Sequence, residues 1–229
     1  MLKVRRSEER GGADHGWLKT RHTFSFGGYF DPEQMGFRSL RVINEDYIQS
    51  GEGFGMHPHK NMEIISFVKS GGLVHRDSMG NESTLRGGEF QRMTAGRGVT
   101  HSEFSEAGNE DTHLLQIWII PEVQGLAPSY EELRPSGRSG LTVVASPDQR
   151  DGSMKIHQDV VLSHGIFSAG EKVDYALKSG RAAYLQVVEG KLSLNGVELT
   201  AGDGAQLEAE EQLEIVASSE AEFLLFDLR

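Results

Sequence analysis

Apolar positions along this chain come in short runs broken by glycine, not at the three-to-four-residue interval of an amphipathic helix. Residues 39–49 read as a strand, with Leu40, Val42, Ile43 and Ile48 set among polar neighbours. Met62 to Val68 is an apolar strand interrupted by Glu63 and Ser66, and Phe90 to Met93 is a shorter one. Gly71-Gly72, Ser78-Met79-Gly80-Asn81 and Gly87-Gly88-Glu89 supply the turns between them. His113 to Ile120 has high β propensity and ends at Pro121, and strands resume at Leu141 to Val144. Many short strands separated by glycine turns predict an all-β sandwich or barrel.

Between Pro121 and Gly140 the pattern lapses. Pro128, Pro135, Gly137 and Gly140 surround Ser129-Tyr130-Glu131-Glu132-Leu133, which reads as one helical turn inside a linker. The expected division is a first domain at residues 1–125, a linker at 126–140 and a second domain at 141–229. The second half echoes the turn pattern of the first. Aligning Val188 on Val68 puts Val187-Val188-Glu189-Gly190, Asn195-Gly196 and Ala201-Gly202-Asp203 on the earlier turns. His57 then falls on Leu177, His59 on Ser179 and Glu63 on Ala183, and no histidine follows His164. The expectation is two similar β units, one equipped for chemistry and one empty.

Composition narrows the function classes. The chain has 229 residues and no cysteine, which excludes disulfides, thiolate metal sites and cysteine nucleophiles. A formal net charge of -11 argues against phosphate-backbone binding, which needs a basic surface. The one basic cluster, Lys3, Arg5, Arg6 and Arg10, is interleaved with Glu8 and Glu9 and reads as a solvated edge strand and turn. No apolar leader opens the chain and no run approaches a membrane span, so a cytoplasmic location is expected.

The candidate chemistry lies in two short segments. His57 and His59 flank Pro58, and residues i and i+2 of a strand share a face. Alone, a His-x-His pair is often a surface accident. Here His101 and Glu103 repeat the spacing further on. Two such pairs on neighbouring strands would offer three imidazole nitrogens and one carboxylate oxygen, a set suited to a borderline divalent ion.

These residues resemble the cupin superfamily. Its first motif, Gly-x5-His-x-His-x3-Glu, is matched by Gly51, His57, His59 and Glu63. Its second, Gly-x5-Pro-x-Gly-x2-His, is met by Gly88 and Gly96, with Thr94 at the proline and His101 two residues late. That longer loop, ending in His-x-Glu, is similar to the pirin family. The N-terminal stretch agrees: Gly16-Trp17-Leu18, His22-Thr23-Phe24-Ser25-Phe26, Tyr29-Phe30-Asp31-Pro32 and Met35-Gly36-Phe37 resemble bacterial pirin-like quercetin dioxygenases.

The resemblance implies a bicupin, two antiparallel β-barrels with few short helices. It implies one divalent transition metal held by His57, His59, His101 and Glu103, iron first, with manganese, nickel, cobalt, copper or zinc compatible. Glu63 is expected beside the ion or as an occasional fifth ligand. The implied activity is quercetin 2,3-dioxygenation: a flavonol and O2 react and carbon monoxide leaves. Glu103 or Glu63 would accept the proton of the flavonol 3-hydroxyl. Phe24, Phe26, Phe54, Met93 and Trp118 are candidate walls for a flat substrate, although inward-facing apolar residues line any barrel. His22 and His75 are expected at the pocket rim or in the framework, and His15, His113, His157 and His164 as structural or solvent-facing. The alternative is a metal-dependent regulator acting through a protein partner; a sugar-isomerase or other small-molecule cupin is a third class. Neither nucleic acid nor membrane is an expected partner, and a monomer is expected.

Overall fold

The computed structural model describes residues 1–137 and 139–229. Almost all regular structure is β. Strand β1 spans Leu2–Arg5. It is followed by β2 (Gly11–Asp14), β3 (Leu18–His22), β4 (Leu40–Ile48), β5 (Gly53–His59), β6 (Glu63–Ser70) and β7 (Gly72–Asp77). Next come β8 (Glu82–Arg86), β9 (Phe90–Thr94), β10 (Val99–Ser105), β11 (Thr112–Ile119) and β12 (Ser129–Leu133). The chain continues through β13 (Gly140–Ser146), β14 (Met154–Lys155), β15 (Val160–Phe167), β16 (Lys172–Ala176) and β17 (Ala182–Glu189). It ends with β18 (Lys191–Leu194), β19 (Val197–Thr200), β20 (Gly204–Glu208), β21 (Gln212–Ala217) and β22 (Ala221–Leu228). The helical content among the described residues is two short 3-10 turns, Ser7–Glu9 and Arg150–Gly152. No helix among them is long and apolar enough to cross a membrane.

The chain divides into two compact units. One comprises Gly11–Arg134 with Ile156–Gln158. It holds a seven-stranded sheet, β12-β9-β6-β11-β4-β3-β2, and a four-stranded sheet, β5-β10-β7-β8. Leu18, Ile48, Val68 and Leu114 from the larger sheet share one buried cluster with Leu73 and Leu85 from the smaller. The sheets therefore pack face to face, and burial of this shared face is what holds them.

The other unit comprises Met1–Arg10, Pro135–Lys155 and Asp159–Arg229. Its sheets run β1-β20-β17-β22-β15-β13-β14 and β16-β21-β18-β19. Strand for strand, β6 to β11 of the first unit reappear as β17 to β22, in the same order within their sheets. The turn pattern repeated in the sequence thus reflects a repeated topology. Leu177, at the position of His57, is buried in the apolar cluster of this unit with Leu192, Leu213 and Ile215.

Three expectations differ in detail. All four sheets are open, so the β class holds but no sheet closes on itself as a barrel. Ser129–Leu133 is a strand and not a helical turn, paired antiparallel with β9 with Tyr130 opposite Met93. The open edge of β9 supplies hydrogen-bond partners that outweigh local propensity. Residues 126–134 consequently group with the first unit, while the first ten residues group with the second. There β1 pairs with β20, Val4 opposite Ala205, and Leu2 and Val4 pack on the apolar cluster. The basic segment is the edge strand expected, but Arg10 is buried and Arg6 pairs with Asp203 at 2.8 Å.

Candidate metal centre

Strands β5 and β10 run antiparallel with His57 opposite His101 and His59 opposite Val99. Strand parity turns His57, His59, His101 and Glu103 to the inner face. Because β5 is an edge strand, the missing N–H of Pro58 is tolerated between the two histidines. The ring centroids of His57, His59 and His101 lie 4.5 to 4.8 Å apart. One nitrogen from each lies within 4.8 Å of the other two. His57 Nδ1 lies 2.8 Å from the Gly55 carbonyl oxygen. A carbonyl only accepts, so Nδ1 carries the hydrogen and Nε2 keeps its lone pair for a ligand.

His101 is buried, and neither ring nitrogen has a hydrogen-bond partner. Two unsatisfied nitrogens in a dry site are costly, and a coordinated ion would remove part of that cost. Burial, and then the neighbouring His57 and His75, lower the His101 pKa to about 3. Burial, with His101 and His57, lowers that of His59 to about 4. Both rings are therefore neutral at pH 7, the form that binds metals.

Glu103 follows two residues after His101, across a register shift against β5. Its Oε1 accepts from Ser66 Oγ at 2.9 Å and from Gln91 Nε2 at 2.6 Å. Its Oε2 accepts from Gln116 Nε2 at 2.7 Å. The donors come from three adjacent strands of the facing sheet, β6, β9 and β11, at mutually paired positions. They hold a buried carboxylate in one orientation.

The potential ligand atoms fall in two groups that share His101. His57, His59 and His101 form one trio; Glu103 groups instead with His101 and His75. Sequence spacing missed His75 because its partners come from a neighbouring strand. The available signal was His75-x-Asp77, a further i, i+2 pair, on β7 beside β10. Ser66, Gln91 and Gln116 were missed as well; polar residues at inward positions of apolar strands were the clue.

Glu63 lies elsewhere. Ser66, whose hydroxyl reaches Glu103, faces inward, and parity puts Glu63 on the other side of β6. There it is fully buried, accepts from Thr94 Oγ1 at 3.1 Å and lies 3.4 Å from His157 Nδ1. Burial raises its pKa against the opposing pull of Arg92 and His157.

A cavity of about 470 Å3 in the same unit is lined by His22, Phe26, Tyr29, Asn44 and Phe54 among others; none of the three histidines lines it, and aromatic contacts link its wall to them. Phe54 lies 6.4 Å from His57, and Phe26 contacts Trp118, which packs on His59 at 5.0 Å. Of the proposed walls, Phe26 and Phe54 line the cavity and Trp118 backs it. Phe24 and Met93 are buried away from its surface. His22 is a wall residue, bonded through Nδ1 to Asn44 at 2.8 Å. His15 also lines this cavity. His113 and His164 pair with Glu45 and Glu222.

The pirin family model matches residues 3–119, and the model of the quercetinase C-terminal cupin domain matches residues 143–228. The chain belongs to the pirin family. This pirin is 47% identical over 228 residues to the quercetin 2,3-dioxygenase of Escherichia coli, covering 100% of this chain and 99% of the relative. A pirin-like protein of Caulobacter vibrioides is 40% identical over 231 residues, covering 99% of each. The crystal structure of the Escherichia coli bacterial pirin YhhW in complex with nickel(II) superposes with a TM-score of 0.96. Identity there is 46%, over 100% of this chain and 99% of that one.

Proposed function

We propose that this pirin is a metal-dependent dioxygenase that opens flavonols such as quercetin with O2 and releases carbon monoxide. The observation that carries the reading is His101, buried with two unpartnered nitrogens between two half-exposed histidines and a tethered carboxylate. The end-to-end likeness to a relative named quercetin 2,3-dioxygenase supports the same substrate class. We read each facing pair of sheets as a cupin barrel, one carrying the centre and one filled with apolar side chains.

His57, His59, His101 and Glu103 would hold one divalent transition ion, iron first among the compatible metals. When bound, such an ion acts as a Lewis acid and makes a coordinated hydroxyl easier to ionise. The protein's own contribution is positional. A carboxylate oxygen of Glu103 accepts the proton of the flavonol 3-hydroxyl. Ser66, Gln91 and Gln116 keep that carboxylate from rotating away. Phe26 and Phe54 offer apolar faces to a flat ring system, and His22 with Asn44 offers a polar end. The cavity volume falls within the roughly 300–1,000 Å3 of small-molecule sites.

A second reading, regulation through a protein partner, draws support from Met56 and Phe104. These exposed apolar side chains lie on the two strands that carry the histidines. The test is carbon monoxide release from quercetin in air by metal-reconstituted protein, beside a His57→Ala/His101→Ala control. Release by the wild type alone is expected. No release from protein shown to be metal-loaded would overturn the enzymatic reading and favour the regulator.

A further inference from the structure

The cavity of the first unit has a polar floor built by strand register. On β3 and β4, His22 stands opposite Asn44 and Thr20 opposite Asp46. Parity puts these four side chains on one face, and all four are buried and line the cavity. Asn44 in turn stands opposite Gln116, the residue of β11 that tethers Glu103. The floor therefore begins one strand away from the support of that carboxylate. The wall is aromatic. Phe26 and Tyr29 exchange backbone hydrogen bonds of 3.0 Å across Gly27-Gly28, and their rings lie 5.5 and 6.4 Å from the His22 ring. Tyr29 rests on β2 at Gly11, where any Cβ would strike its ring.

The chemistry of this floor is one-sided. Asn44 Oδ1 is occupied by His22 Nδ1 at 2.8 Å. Asp46 contributes a carboxylate, which only accepts hydrogen bonds. Among the described residues no lysine or arginine lines the cavity. An anionic group placed there would face Asp46 with no countercharge, in a site with little water. A neutral hydroxyl would instead donate to the carboxylate, a charge-assisted bond stronger than one between neutral groups. Phe26 and Tyr29 offer ring faces to a flat ligand that points its edge at the floor.

We propose that Asp46 determines substrate specificity: it accepts a hydrogen bond from a hydroxyl on the substrate ring remote from the reacting 3-hydroxyl. The site then selects neutral polyhydroxylated phenolics and excludes their anionic conjugates. This rests on reading the substrate as a flavonol. None of the metal-binding histidines lines the cavity, but Phe54 of its wall lies 6.4 Å from His57. A flavonol whose 3-hydroxyl reaches the metal centre thus leaves its far ring for the cavity. Selection here works in both directions, by attraction for a hydroxyl and by repulsion of a negative charge.

The test is equilibrium binding to the nickel-loaded full chain under nitrogen, read by quenching of tryptophan fluorescence, so that no turnover is needed. The probes are quercetin, 3-hydroxyflavone, which lacks every other hydroxyl, and the 3′- and 7-sulfates of quercetin, one on each outer ring. The wild type should bind quercetin about tenfold more tightly than 3-hydroxyflavone. Asp46→Asn should cut that preference to about twofold by weakening quercetin alone, and should bind at least one sulfate more tightly than the wild type does. General damage to the fold would weaken every probe together, so the opposite signs separate recognition from structure. Equal wild-type affinities for quercetin and 3-hydroxyflavone, an undiminished preference in Asp46→Asn, or a parallel loss of all probes would overturn the proposal; carbon monoxide release would still decide the dioxygenase reading. Should Asp46→Asn fold poorly, the wild-type series decides: sulfates bound as tightly as quercetin overturn the proposal. Discrimination without carbon monoxide release would keep Asp46 as the selector and overturn the enzymatic reading. No quercetin binding by the wild type would overturn both.

Discussion

Burial governs the chemistry of single residues here. An unfolded chain titrates its histidines near pH 6.5, whereas His59 and His101 titrate at about 4 and about 3 in the folded protein. Since the folded values are the lower ones, the unfolded state takes up protons first as pH falls. Stability associated with the neutral rings is complete above about 6.5 and is lost progressively as pH drops through 4 toward 3. Metal-free protein should therefore show a thermal midpoint that falls on acidification from pH 7 to 4.5. The fall should be steeper than in a His59→Gln/His101→Gln variant, which lacks these titrations. Superimposable pH profiles of the two proteins would remove burial of the histidines as the cause.

At the level of elements, strand parity assigns roles that residue spacing leaves open. Glu63 and Ser66 lie three apart on β6 and so face opposite ways. Ser66 tethers Glu103, while Glu63 meets Thr94 and His157. The resemblance favours Glu103 as the ligand and leaves Glu63 beside the ion or as an occasional fifth ligand; the pleat turns Glu63 to the other face of β6. Glu63→Gln should leave nickel affinity within about twofold of the wild type and lower stability by about 1–3 kcal/mol, because a buried polar cluster loses a carboxyl oxygen that its neighbours surround. Calorimetry and urea denaturation read the two effects separately. A tenfold loss of affinity would return Glu63 to the centre. Backbone constraints act at this scale too. Gly96, in the loop entering β10, has φ +49° and lies so close to Leu126 that a Cβ would strike its carbonyl oxygen. The loop that delivers His101 is thereby fixed by a position that suits glycine.

For the whole chain, the same strand order occurs twice with different contents. The first unit keeps polar residues on its inner faces around the histidines; the second fills the corresponding space with Leu177, Leu213 and Ile215. Loss of ligands in the repeat is thus matched by a gain in apolar burial. The second unit also depends on residues far away in sequence, since β1 covers the edge of β20. Removing residues 1–6 would expose that edge and take Leu2 and Val4 off the apolar cluster. Hydrogen exchange at residues 204–208 should then accelerate while residues 99–105 stay protected. Unchanged exchange at 204–208 would show that β1 contributes little to that sheet.

Much of this was legible along the chain because it depends on local physics. Short apolar runs and glycine turns marked the β class and most of the strands, and the i, i+2 spacing placed His57 with His59 and His101 with Glu103 on common faces. The repeat was visible because turns demand the same small residues wherever they recur. What remained hidden depends on which strands become neighbours. A sequence does not state that β7 lies beside β10, so His75 and Asp77 had no visible partners. It does not state that β9 offers an open edge, so Ser129–Leu133 read as a turn. Nor does it state that Ser66, Gln91 and Gln116 line up across three strands. Those relations are set by burying one face of each sheet against another, a non-local requirement that only the folded chain satisfies.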